Sequence, residues 1–288
     1  MSFLPATPPL LFPNALPAAA AAAPVGSKTF DVDCTLAYQV NGPTDFLFQI
    51  HALNGADQVV LSESLVLTPP QPVHIFADPV LNQRFVRVQM LTGPFELHYQ
   101  ARVQRTPWPV DLAAAELPIA QIPDDLLHYL MPTRYCESDL LSQDTQALFG
   151  GLPHGHGRVT AICDWIHANI AYEVGTSTST TTARDVFVQR RGVCRDFAHL
   201  GVTFCRALNI PARLVVGYAN FDEPPPDFHA VFEAYLGGRW VLFDATRMSP
   251  LDGLVRIASG RDAKDVAFAM IYGPATMTGL TPCVRPAA

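Results

Sequence analysis

Residues Gln189–Tyr218 read QRRGVCRDFAHLGVTFCRALNIPARLVVGY, and the fold turns on how this stretch is parsed. A glycine stands two residues before a cysteine, and an apolar run follows. Asn209 and Pro211 break that run, and a β-branched segment closes the stretch. Gly192 provides turn freedom just ahead of Cys194. The run from Cys194 to about Leu208 is predicted to be a helix, ended by Asn209 and Pro211. RLVVGYA then has the composition of a strand. A cysteine in the first turn of a helix lies among unpaired backbone N–H groups, at the positive end of the dipole. That setting favours thiolate, the nucleophilic form, and the same N–H groups suit a developing oxyanion. Free cysteines are, however, commonly small buried packing residues. Cys205 on the same helix and Cys163 on another are read that way. Whether Cys194 differs depends on finding a base and a group to orient it.

The segment FHAVFEAYLGGRWVLFDAT, from Phe228 to Thr246, supplies both. Two alternating runs flank Gly237-Gly238, a pair suited to a two-residue hairpin turn. With the glycines as the turn, Leu236 faces Arg239 and Val231 faces Asp244. His229 then faces Thr246, so His229 and Asp244 share a face as diagonal neighbours. Diagonal pairs lie about 7–8 Å apart, within reach of a ring and a carboxylate. A thiol, an imidazole that takes its proton and an acid that fixes the imidazole's tautomer form a nucleophilic triad. Either residue alone would be read as an ordinary sheet histidine or strand-end aspartate.

Outward from this core, the order of elements is mixed. Residues 1–27 are expected to be a flexible Pro/Ala-rich extension. The first 24 hold six prolines and no Lys or Arg, unlike the basic start and unbroken apolar segment of an export signal. Residues 28–107 carry short alternating runs (TFDVDCTLAYQV, QVVLSESLVL, RFVRVQM, FELHYQARVQ) separated by Gly, Pro and Asn turns. They are expected to form an N-terminal β-sandwich domain. Pro-rich residues 108–123 read as a linker. Residues 124–288 are expected to form a catalytic domain, with helices preceding an antiparallel sheet; GRVTAICDWIHANIAY carries a helical apolar stripe. The fold class expected is therefore α+β.

Composition narrows the function. In 288 residues, 49% are hydrophobic and 16% charged, so a large core is affordable. The net charge of −7 argues against nucleic acid or an anionic membrane as partner. No apolar run reaches the roughly 20 residues needed to cross a bilayer. The six cysteines are scattered singly, which fits a cytoplasmic chain with reduced thiols better than a zinc site or a disulfide framework. No cofactor and no metal is expected. His154 and His156, in HGHGR, lack further ligands at metal spacing and read as a solvent loop.

With these residues in view, the chain resembles the transglutaminase-like superfamily, specifically the bacterial transglutaminase-like cysteine peptidases. The matching pieces are RRGVCRDFAHLGVTFCRALNIPARLVVGY, DFHAVFEAYLGGRWVLFDATR and LVRIASGRDAKDVAFAMIYG. RYCESDL and WIHANIAYEVGTSTSTTTARDVF match upstream, and the likeness covers about residues 28–275. It implies a papain-like α+β catalytic domain behind the β-sandwich. By motif position it implies Cys194 as nucleophile, His229 as base and Asp244 as orienter. HAV stands where His-Ala-Trp is commoner, and DAT where Asp-Pro-Thr is. Transglutaminases proper also place an oxyanion-supporting Trp upstream of the cysteine. Trp165 and Tyr172 are the candidates here, and the sequence equates neither with it.

The activity expected is cysteine-dependent acyl transfer on amide bonds of a protein or peptide, leaning by resemblance to a hydrolase. A crosslinking transglutaminase with an amine acceptor and a non-catalytic scaffold of the same fold are the alternatives. Asp196 is expected to cap the Cys194 helix. Arg190, Arg191 and Arg195 are read as a solvated basic cluster that could also meet a thiolate or a substrate carboxylate. The Ser/Thr run 176–182 is read as a loop beside the cleft.

Overall fold

The computed structural model describes residues 26–81, 83–221 and 227–287. The extension read over residues 1–27 therefore lies, except for its last two residues, outside the described residues. Strand β1 (Lys28–Phe48) and strand β4 (Arg84–Arg105) form the spine of a first sheet. They pair antiparallel from Lys28↔Arg105 to Phe48↔Val86, with a register break between Asn41 and Thr44. Alternate residues Phe30, Val32, Cys34, Leu36, Tyr38 and Val40 of β1 are buried, as period-two patterning requires. Strands β2 (Gln58–Thr68) and β3 (His74–Ala77) pair with opposite ends of β4.

This sheet folds over on itself. Tyr38 and Phe46 lie eight positions apart on β1, about 26 Å along an extended strand, yet their ring centroids are 5.1 Å apart. Phe48 and Phe95 complete the cluster. The bend falls at Asn41-Gly42-Pro43 on β1 and at Gly93 (φ 133°) on β4. One continuous sheet thus supplies both inner faces of the β-sandwich.

Five further elements lead into the second half of the chain. They are α1 (Ser142–Phe149), α2 (His156–Asn169), β5 (Ala171–Tyr172), α3 (Ala183–Gln189) and β6 (Arg191–Gly192). Helix α4 (Cys194–Ala207) follows and ends as expected: Asn209 takes a left-handed conformation (φ 62°) just beyond it. Strands β7 (Ala212–Tyr218), β8 (His229–Leu236), β9 (Arg239–Phe243) and β10 (Val255–Gly260) build a second antiparallel sheet in the order β10-β7-β8-β9. Every residue of α4 from Asp196 to Arg206 is buried, because α1, α2 and α3 flank it opposite β7 and β8. Gly201 allows the closest approach to the sheet: a Cβ there would lie 2.5 Å from the Phe232 ring. The buried Arg206 is satisfied by the carbonyls of Met131, Ala212 and Arg261. No helix among the described residues is long and apolar enough to cross a membrane.

The expected unit 124–288 needs one correction. Strands β11 (Ala269–Tyr272) and β12 (Ala275–Pro286) leave it and pair with β1 in the first sheet. Without them β1 would present a long row of unpaired backbone groups. β12 pairs only with β1 among the described strands, and such an edge tolerates its prolines at 282 and 286. The two halves are further joined by buried polar contacts. Tyr218 Oη donates to the Ile50 carbonyl at 2.6 Å, and Arg105 donates to the Leu251 carbonyl at 3.0 Å.

Candidate active site

Cys194 occupies the first position of α4, preceded by Val193 in extended backbone. Asp196 holds this turn. Its Oδ2 accepts from the Val193 N–H at 2.8 Å and from the Ser177 hydroxyl. Gly192 is needed here for closeness: a Cβ at 192 would sit 2.7 Å from the Asp196 Cβ. The turn freedom expected of Gly192 is not used, since it is not among the glycines with positive φ. The Cys194 side chain is partly exposed, and its Sγ lies 3.9 Å from the Phe228 carbonyl, at the mouth of β8.

The hairpin register is the one the glycines predict. Leu236 pairs with Arg239 and Phe232 with Phe243, and Gly237 and Gly238 both take positive φ. His229, 1% exposed, meets Asp244 at 2.9 Å between Nε2 and Oδ2. That leaves Nδ1 for Cys194, and Nδ1 is buried with no hydrogen-bond partner among the described residues. Burial alone would lower the His229 imidazole. The hydrogen bond to Asp244, followed by the nearby Cys194 sulfur, overrides burial and raises it to about 9. Asp244 is held below the usual carboxylate range: burial pushes it up, but the His229 bond and charge, with Thr246, pull it further down. The structure thus brings Cys194, His229 and Asp244 together at the junction of α4 with the second sheet.

It also separates the two aromatic candidates. Tyr172 pairs through β5 with Gly192, two residues before the cysteine. Its phenol is pushed well above its usual range by burial first and then by the nearby Cys194 side chain. Trp165 instead packs in the core against Phe149, Phe187 and Phe204. Cys163 and Cys205 are buried, and burial raises both thiols well above the ordinary range.

The basic residues do not form a cluster. Arg190 lies over the rings of Trp165 and Phe187, while Arg191 stands 3.9 Å from Glu173. Arg195 donates to the Thr178 carbonyl at 2.9 Å, which ties the Ser/Thr loop to the first turn of α4. Thr182 caps α3 through the Asp185 N–H. His154 is 3.5 Å from Glu116 and His156 packs on Phe243.

Sequence reasoning missed Thr246 as a partner of Asp244. Its N–H and its Oγ1 both donate to Asp244 Oδ1, at 2.8 and 2.7 Å. The signal available was a Thr two residues after an Asp, a spacing at which such side chains close local turns. The Phe228 carbonyl beside the sulfur carried no sequence signal. A concavity of about 520 Å³ between Trp108, Trp240 and Arg256 contains none of these residues.

Chemically, the arrangement offers a sulfur at a helix N-terminus, a buried imidazole between sulfur and carboxylate, and a phenol beside the sulfur. Comparison with known proteins points the same way. Residues 144–245 match the family described as the transglutaminase-like superfamily, and residues 28–125 the bacterial transglutaminase N-terminal domain. The chain is 42% identical to a solved structure from Cytophaga hutchinsonii described as a candidate cysteine protease. That match covers 91% of each chain, with a TM-score of 0.88. An uncharacterized protein of Mycobacterium leprae is 32% identical over 119 residues, 38% of this chain and 42% of that protein. An uncharacterized protein of Mycobacterium tuberculosis is 30% identical over 115 residues, 35% of this chain and 37% of that one. The match therefore spans less than half the length of these curated relatives.

Proposed function

The chain belongs to the transglutaminase-like superfamily, and from that premise we propose that it catalyses cysteine-dependent acyl transfer on amide bonds of a protein or peptide, as a peptidase or amidase. The observation that carries this reading is the convergence of Cys194 and the His229–Asp244 pair, bonded at 2.9 Å. In the first step the Cys194 thiol gives its proton to His229 Nδ1 and the thiolate attacks the amide carbonyl carbon. Asp244 holds the imidazolium that results. The oxyanion is met by N–H groups at the start of α4 and by the Tyr172 phenol. His229 returns the proton to the leaving amine as the C–N bond breaks, leaving a thioester on Cys194. Water, deprotonated by His229, then attacks the thioester; the acid leaves and the thiol is restored.

Support for the hydrolytic second step comes from the Cytophaga hutchinsonii relative and its description. The test is turnover of a peptide-amide panel with and without a primary amine. Release of free acid, lost in Cys194→Ala, supports a peptidase or amidase. Release of acid only in trace and accumulation of amine adduct would make the protein a transglutaminase. No turnover of any amide or ester would leave a scaffold of this fold.

A further inference from the structure

Asp244 presents two oxygens, and only one of them serves His229. The other, Oδ1, takes two donors from a single residue, the Thr246 N–H at 2.8 Å and the Thr246 hydroxyl at 2.7 Å. The direction of the hydroxyl bond is settled by a third contact: Thr246 Oγ1 accepts from the Met248 N–H at 3.2 Å. With a lone pair committed to Met248, its one proton points at the carboxylate. Thr246 is 7% exposed, so water does not readily replace it. Arg247, between these residues, adopts a left-handed conformation (φ 60°) unusual outside glycine. Its guanidinium is anchored on Asp164 of α2. A turn held at a sparsely populated conformation beside a reactive pair is a place where the surroundings over-determine geometry.

We infer that Thr246 is a positioning residue, which locks the rotation of the Asp244 carboxylate so that Oδ2 stays aimed at His229 Nε2. This rests on the acyl-transfer reading above. A carboxylate in a strand-end turn rotates about its last bond unless its second oxygen is fixed; Thr246 fixes it with two donors whose own positions are fixed. Bonds to the ionised form also favour that form. The titratable and charged groups facing Asp244 are His229 from β8 and, from α2, Cys163. Asp164 and Arg247 add an ion pair at the turn, and Cys194 from α4 reaches Asp244 through His229. Of the groups bonded to Asp244, Thr246 alone can lose its donor without changing a charge.

The test is the pH profile of Cys194 alkylation by iodoacetamide, mapped by peptide mass, in the wild type, Thr246→Ser, Thr246→Val, Thr246→Ala and His229→Ala. Serine keeps the hydroxyl; valine keeps the shape and alanine neither, while all three keep the backbone donor. Thr246→Ser is expected to stay within about twofold of wild type at neutral pH. Thr246→Val and Thr246→Ala are expected to lose about tenfold, with the acid limb moved up by about one pH unit, the size of one hydrogen bond to a charged group. Val and Ala profiles that coincide with wild type, while His229→Ala is slow, would overturn the role of Thr246 and leave the triad standing. Wild type and His229→Ala alkylating alike would overturn the triad and this role with it. If Val and Ala fail to fold while Ser folds, Thr246 serves the fold and the positioning role is overturned.

Discussion

His229 and Asp244 are joined at 2.9 Å, fifteen residues apart in the chain, because Gly237 and Gly238 close the hairpin between them in positive φ. The bond is electrostatic as well as geometric, and its pH dependence follows. Held up to about 9, His229 contributes stability that is full below its ordinary value of 6.5 and lost as pH rises through 9. Held down, Asp244 contributes stability that is full above its ordinary value of 3.8 and lost as pH falls through its folded value. Asp244→Asn is therefore expected to melt a few degrees below wild type between about pH 4 and 6.5, with the gap narrowing towards pH 9. Thermal melts across this range check it; a gap independent of pH contradicts it.

Gly192 and Gly201 lie on or beside the same helix and have different consequences. A methyl at 192 meets the Asp196 Cβ at 2.7 Å and disturbs the turn that carries Cys194. A methyl at 201 meets the Phe232 ring in the core. Each substitution by alanine is expected to cost about 1–3 kcal/mol. Only Gly192→Ala should also lower activity per folded molecule, by tenfold or more. Denaturant melts with active-site titration separate the two.

Tyr172→Phe removes the phenolic donor beside Cys194 and keeps the ring. As an oxyanion donor the hydroxyl is worth about 10²-fold in kcat, with KM little changed. Steady-state kinetics on an amide substrate decide; an unchanged kcat assigns Tyr172 to packing alone.

Removing residues 275–288 would strip β12 from β1. The uncovered edge is expected to make the protein aggregate or unfold, although the deleted segment lies far along the chain from β1. Light scattering and thermal melts of the truncated chain report it.

What the sequence disclosed and what it hid follow from the range of the interactions. Helix α4 and the β8–β9 hairpin were legible because local chemistry specifies them. Asn209 and Pro211 stop the helix, and the glycine pair sets a register that carries His229 and Asp244 to one face. The return of β12 to β1 was not, because ATMTGLTPCVRP contains glycine and proline and becomes a strand only by pairing some 240 residues back in the chain. Gly192 was recognised as important for a reason the structure replaces, since closeness to Asp196 is a tertiary fact. Between Trp165 and Tyr172 no local pattern could say which lies near Cys194; the parallel pairing of β5 with β6 brings Tyr172 against Gly192, two residues before it.

The claim at the centre is that Cys194, served by His229, becomes acylated. Acid-quenched protein from a brief reaction with p-nitrophenyl acetate, digested and mapped by mass, tests it most directly. The account predicts acetylation confined to the Cys194 peptide, decaying with time, abolished in Cys194→Ala and slowed at least 100-fold in His229→Ala. Acetyl groups spread over the six cysteines or the lysines, at rates that His229→Ala leaves unchanged, would contradict it.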